Sequence, residues 1–322
     1  MELQPGAYFK IGQEGFEYVG TQKTSDNPND IQVVGRINPD EPTSSGALHR
    51  IFPLSVLEQE GTRVGPFNED LPYSDFVAEK AAWQTRFSHD IDMPYPPHLL
   101  VDTLKRAKEA GITSLEYHFL PGVTMEEDGI IIDGHKHLFP DIPDWKASPY
   151  WFFQDTEPIY EALTFPSCHI LVDNTQKPNY QDDNQMYGSD PFKKLIISLA
   201  DKLLPHIEGS RFGISYDARA EHFDPALAQT LGLTQAVEKG KAKVTVPTEL
   251  MFNVIGNMFH PEWGNTSTYE WFEDQFEVVN RLIGGDSGSG GLSSIDCELT
   301  RSPNGSVGFR PLIVFPQKPS TP

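Results

Sequence analysis

The chain of 322 residues carries two cysteines, Cys168 and Cys297. Two thiols cannot build a four-thiolate zinc site or a disulfide scaffold. One bridge is open to them, but nothing in the sequence places them together. His135 and His137, in Gly134-His135-Lys136-His137, stand at strand spacing and project on one face, which suits a metal ion. Even with His118 as a distant third donor, the local set falls short of the three or four ligands needed, so the pair is expected to be surface histidines beside a turn. Asp182, Asp183 and Asn184 have the donor types of a hard-cation site but read as a polar loop. Acid pairs such as Glu273-Asp274 are commonplace among 46 Asp and Glu, so no glycosidase pair stands out. The run Glu126-Glu127-Asp128 reads as a solvated loop. No G-x-S-x-G and no P-loop is present. The expectation is a non-enzyme with no catalytic residue, no metal and no cofactor.

What remains is non-covalent chemistry. The stretch 284–307 is rich in Gly, Ser, Asp, Asn, Thr and Arg, and Leu292, Ile295 and Leu299 are its large apolar side chains. Such a mix suits adaptable hydrogen-bonded contact. Its glycines allow positive φ and a backbone anion nest, but no strand–loop–helix phosphate context follows.

The elements that must carry these residues are short. Pro (27) and Gly (26) are spread through the chain and aromatics make up 11%, which points to short strands and ordered loops rather than a helical bundle. The first third is β-rich, with a hairpin from 7–11 and 16–19 around Gly12 and Gly15, a strand at 31–37 and another at 49–57. Residues 75–86 form a helix on Phe76, Ala78, Ala82 and Trp83. Pro96-Pro97 opens a helix through Leu100, Leu104 and Ala107 that Gly111 stops. Strands follow at 115–120 and 130–132, the latter ending in the turn Asp133-Gly134. A boundary is expected between 140 and 165, marked by Pro140, Pro143, Pro149 and Pro166. The aromatic run Tyr150-Trp151-Phe152-Phe153 inside it is expected to pack as an inter-domain seam. This gives two domains, 1–160 and 161–322. In the second, strands at 169–172, 214–216 and 244–246 alternate with helices at 191–204, 225–231 and 248–255.

Charge narrows the partners. The formal net charge of −21 disfavours phosphate backbones and anionic membrane surfaces. No apolar run approaches the roughly 20 residues of a membrane-spanning helix. The first residues show no basic-then-apolar leader pattern. A cytoplasmic location is compatible with these features, without nucleic acid and without membrane insertion.

The order of motifs in the second half resembles the C-type lectin fold of the formylglycine-generating-enzyme, or sulfatase-modifying-factor, type. Its R-L-P-T-E-A-E-W stretch has a counterpart in Val246-Pro247-Thr248-Glu249-Leu250-Met251-Phe252. Its G-N-x-W-E-W segment is matched by Gly264-Asn265 and, three residues later, Tyr269-Glu270-Trp271. Its R-G-G-S-W is weakened to Ile283-Gly284-Gly285-Asp286-Ser287. Its G-F-R is Gly308-Phe309-Arg310, before a final strand at 311–315. Gly213-Ile214-Ser215-Tyr216-Asp217-Ala218 is similar to the entry to the family's second helix. The resemblance spans 165–315 and does not reach the first half.

It implies an α+β fold: a C-terminal C-type lectin-like domain with much irregular loop, preceded by a β-rich module that anchors or assembles. Trp271, Phe309 and Phe252 should be core plugs, and Glu249, Glu270 and Arg310 should pair inside the domain. Oxidising members of the family use a cysteine pair that binds copper; Cys297 stands alone in that region, which counts against an oxidase. Ergothioneine-type iron enzymes add a helical H-x-x-x-H module, absent here. The chain is also similar to variable proteins of diversity-generating retroelements and to phage receptor-binding proteins, which present side chains just before the final strand. That implies a display protein for a protein or glycan ligand, working as a homo-oligomer or within a larger assembly, with a phage particle as the alternative to a cytoplasmic location. The contact face would comprise Asp286, Ser287, Ser289, Ser293, Asp296, Glu298, Thr300, Arg301, Asn304 and Ser306. The alternative is a structural virion or surface component that docks through the same domain.

Overall fold

The computed structural model describes residues 70–71, 73–142, 144–146 and 164–317, the side chains of 73 and 74 excepted, and the backbone of five strands between 8 and 63. The aromatic run 150–153 lies outside the described residues.

The chain divides into two compact units, Met1–Glu79 with Pro94–Asp102, and Lys80–Met93 with Thr103–Pro322. The first holds one antiparallel sheet of β1 (Tyr8–Ile11), β2 (Glu14–Lys23), β3 (Ile31–Ile37), β4 (His49–Pro53) and β5 (Thr62–Arg63), in the order β4-β3-β2-β1-β5. The expected hairpin is present, with Ile11 opposite Glu14. Helices α1 (Tyr73–Phe87) and α2 (His98–Glu109) run across the division. Gly111, at φ +80°, turns the chain out of α2, a conformation that costs glycine little.

The division differs from the expected one at 160, and strand pairing is the reason. In the second unit β6 (Leu115–Leu120) pairs along its whole length with β11 (Cys168–Asp173), Leu115 opposite Asp173 and Leu120 opposite Cys168. A segment assigned to the N-terminal module from the sequence is thus an edge strand of the C-terminal sheet. That sheet runs β12-β17-β11-β6, where β12 is Lys243–Thr245 and β17 is Leu312–Pro316. Pairing of β12 with β17 is antiparallel, Thr245 opposite Leu312. All six residues of β11 are buried, so the strand shows no polar alternation.

A second antiparallel sheet joins β7 (Val123–Glu126), β8 (Gly129–Ile132), β9 (His135–Leu138) and β10 (Thr164–Phe165) in the order β10-β7-β8-β9. A third runs β15-β14-β13-β16, from β13 (Tyr269–Phe276), β14 (Asn280–Gly284), β15 (Ile295–Leu299) and β16 (Val307–Gly308). Its β13–β16 pair is parallel and the rest antiparallel. Helices α3 (Lys193–Ser198), α4 (Asp224–Thr230) and α5 (Glu249–Met258) complete an α+β architecture. At the start of α5 the Thr248 hydroxyl accepts from the Met251 amide at 3.1 Å, an N-cap, and Pro247 stands just before it. Trp271, Phe309 and Phe252 are buried, and Trp271 also donates its indole N–H to Ile214 O at 3.0 Å. Among the described residues no helix is long and apolar enough to cross a membrane.

Candidate functional site

A buried ionic network flanks the stretch 284–307: its Glu270, in β13, lies opposite Gly284 at one end and Gly308 just past the other. Arg310 grips Glu270 in bidentate fashion, Nε to Oε2 at 3.1 Å and a terminal nitrogen to Oε1 at 3.0 Å. It also donates to the carbonyls of Asp173 and Thr175 and lies over the Trp263 ring at 3.8 Å. Arg211 donates to Asp173 at 2.6 Å and to Asp190 at 2.8 Å and covers the Tyr187 ring at 3.5 Å. Tyr187 closes the network by donating to Glu270 at 2.7 Å. Burial alone would raise Asp173, but the charges of Arg211 and then Arg310 outweigh it and hold the carboxyl below its ordinary 3.8. Lys177, lowered to about 8 by burial, donates to the carbonyls of Thr268 and Gly285. Glycine at 285, with φ +88°, lets that carbonyl face the ammonium and leaves room for it: a Cβ there would sit 2.9 Å from Lys177 Nζ.

Glu249 does not join Arg310, contrary to expectation. It is buried at the first turn of α5, where its own amide donates to Asp274 Oδ2 at 2.6 Å. Burial, and then the neighbouring Asp274, push Glu249 well above its ordinary value, and burial raises Asp274 to about 7.

Most of the expected contact residues come together. Ser289 Oγ lies 3.1 Å from Tyr269 OH, and the Tyr269 amide donates to Ser306 O at 3.0 Å. Ser306 Oγ donates to Asn304 Oδ1 at 2.7 Å, and Asn304 Nδ2 to Glu298 Oε2 at 2.7 Å. Thr300 Oγ1 donates to Asp217 at 3.2 Å, and Arg301 approaches the same carboxylate at 3.7 Å. Ser287 is exposed beside Ser289. Ser293 donates to Gly290 O and Asp296 accepts from the Cys297 amide, bonds that do not reach the rest of the group.

Asp286 departs from the expectation of an exposed contact. It is buried, its carbonyl accepts from the amides of Ser289 and Gly291, and its carboxylate stands within the field of Lys177. Nor is the stretch all loop, because 295–299 pair with β14 as β15. Leu292 pins the middle: its side chain fills the space over Gly256, where a Cβ would come within 2.4 Å of Leu292 Cδ2, and its amide lies where Gly264 would carry a Cβ.

Elsewhere the thiols are separate. Cys168 lies in β11 and Cys297 in β15, both unbridged, with burial pushing Cys168 up to about 12. His135 and His137 do not meet His118. Both lie against His89, His135 tilted at 4.2 Å and His137 stacked at 5.2 Å between ring centroids, and burial lowers His137, helped by the charges on His89 and His135.

His118 instead meets two residues that sequence inspection did not single out. Glu116, His118 and His260 bring one ligand atom each to within 4.8 Å of one another. Glu116 and His118 alternate along β6 and so share a face; His260 follows the end of α5. His118 stacks on Phe259 at 4.2 Å and His260 on Trp263 at 4.6 Å. Burial, partly opposed by Glu116, holds His260 below the ordinary histidine range. The local signal was Glu116-x-His118 at strand spacing and His260-Pro261-Glu262 just past a helix, but their meeting depends on long-range folding.

No family model matches the chain, and no curated protein or solved structure matches it.

Proposed function

We propose that the chain is a non-enzymatic binding protein whose ligand, a protein or a glycan, contacts the surface of Ser287, Ser289, Glu298, Thr300, Arg301, Asn304 and Ser306. The observation that carries this is a hydrogen-bonded polar surface: Ser289, Tyr269, Ser306, Asn304 and Glu298 are joined in series, and Thr300 and Arg301 converge separately on Asp217. A preorganised polar surface loses little entropy on binding. The reading rests also on the resemblance to C-type lectin-like display proteins. The separated thiols support it against a two-thiolate copper oxidase.

A second reading, docking within a larger assembly, draws on one apolar patch. Val278, Val279 and Leu299 are exposed, and Thr300 N donates to Val279 O, which brings the β13–β14 turn beside the end of β15, an outer strand of its sheet. An open strand edge with apolar neighbours invites pairing.

Hydroxyl-radical footprinting of the native assembly separates the two. Display requires 287–306 to be labelled in the assembly and protected on addition of glycan or of host-surface protein. If 278–279 and 296–301 are protected by assembly alone, the display reading fails and docking replaces it.

A further inference from the structure

We propose that Glu116, His118 and His260 bind a divalent transition-metal ion through two imidazole nitrogens and one carboxylate, leaving coordination positions open to water or an external ligand. Glu116 Oε1 lies 3.7 Å from His118 Nε2, and Glu116 Oε2 lies 3.5 Å from His260 Nε2. Tetrahedral bonds of about 2.0–2.1 Å place donors roughly 3.3 Å apart; the two carboxylate–imidazole contacts exceed that by a few tenths of an ångström, and the three donors together lie within 4.8 Å, so the side chains must draw in around an ion.

The surroundings are those of a ligand set. His260 Nδ1 lies 3.0 Å from Glu262 Oε1, the carboxylate–imidazole arrangement that fixes the tautomer and aims the other nitrogen. That other nitrogen, Nε2, is buried and has no hydrogen-bond partner among the described residues. A buried polar atom of this kind calls for a partner such as an ion. Asn174 donates to Glu116 Oε2 at 2.8 Å and steadies the carboxylate. Stacking on Phe259 and Trp263 locks both rings. The Glu116 side chain is 40% exposed, which gives an entry path and room for further ligands.

The donor set selects the ion. Calcium and magnesium want oxygen ligands, and copper(I) wants thiolates. Two imidazoles with one carboxylate suit zinc, iron(II), cobalt or nickel, and three protein ligands are the pattern of sites that keep a position open. The ligand set shares no residue with the contact surface, so the proposal does not depend on the display reading.

The test uses the full chain, stripped with chelator, titrated calorimetrically with Zn²⁺ and spectroscopically with Co²⁺. The expected result is a single ion per chain and visible cobalt bands of low-coordinate intensity. Glu116→Gln and His260→Ala should abolish stoichiometric binding. Glu262→Gln should weaken it by about 10–100-fold, the usual effect of losing a carboxylate behind a histidine ligand. His135→Ala with His137→Ala should leave it unchanged. Should His260→Ala misfold through loss of its stack on Trp263, the half-exposed Glu116→Gln decides alone. Absence of stoichiometric binding, binding that survives Glu116→Gln, or binding lost with His135 and His137 overturns the proposal.

Discussion

Glu270 and Glu249 are buried alike, 1% and 2% exposed, yet one faces an arginine and the other a second acid. Arg310 meets both oxygens of Glu270. Glu249 is packed against Asp274, and its Oε2 has no hydrogen-bond partner among the described residues. A fork of charge fixes direction as well as position, and Glu270 sits in β13 beside the two ends of the contact stretch. A pair of acids can be buried only by keeping protons. The first arrangement positions; the second ties folding to pH.

The largest way to break the contrast is Arg310→Met, which strands Glu270. Removing one partner of a buried ion pair costs about 3–5 kcal/mol, read by urea denaturation. Adding Glu270→Met should restore part of that loss; if the double variant is worse than the single, the pair is not the unit. Trp271→Ala, an apolar deletion in the same strand, should cost about 3–5 kcal/mol and cost the same at pH 5 and pH 8, separating packing from charge.

Protonation sharpens the contrast next. Glu249 and Asp274 are raised in the fold, Asp274 from 3.8 to about 7. Between the unfolded carboxyl values and the raised ones, the folded chain binds more protons than the unfolded chain. Stability from this pair is therefore present at low pH and is lost as pH rises toward and through 7. Asp173, held low, acts oppositely: its contribution is present above its ordinary 3.8 and lost as pH falls through the lower folded value. Melting temperature should rise from pH 8 to pH 5, and Glu249→Gln with Asp274→Asn should flatten that slope. A slope unchanged in the double variant would place the protons elsewhere.

The smallest expected effect is at the surface. Ser287→Ala, Ser289→Ala and Arg301→Ala should each move stability by under about 0.5 kcal/mol while, together, they abolish ligand binding. A large drop in melting temperature would mean these side chains serve the fold.

Local patterns made some of this legible. Pro247-Thr248-Glu249 marked the start of α5, where Thr248 is the cap, and the apolar run 312–315 lies in β17. Large aromatics amid polar loops had to be core, as Trp271 and Phe309 are. Pairing between distant segments was not legible. Nothing local tells that 115–120 lies beside 168–173, and the boundary expected at 160 falls between these two paired strands. The same blindness hid Glu116 and His260, which belong together only once β6 and the end of α5 are adjacent. Asp286 had the composition of a surface residue; the buried Lys177 on which its charge acts lies far away in sequence.

Leu292, seated over Gly256 and Gly264, works as a rivet. It divides the contact stretch into two spans whose backbones are anchored separately, because strain introduced on one side ends at a side chain that has nowhere to move, and Tyr269 is the link that still touches both Ser289 and Ser306. Replacing 287–290 with unrelated sequence should leave amide exchange across 296–306 unchanged, whereas Leu292→Ala should loosen both spans at once. A lineage that trades ligands, or an engineer grafting a new peptide, would find the tolerance on either side of that rivet and not at it.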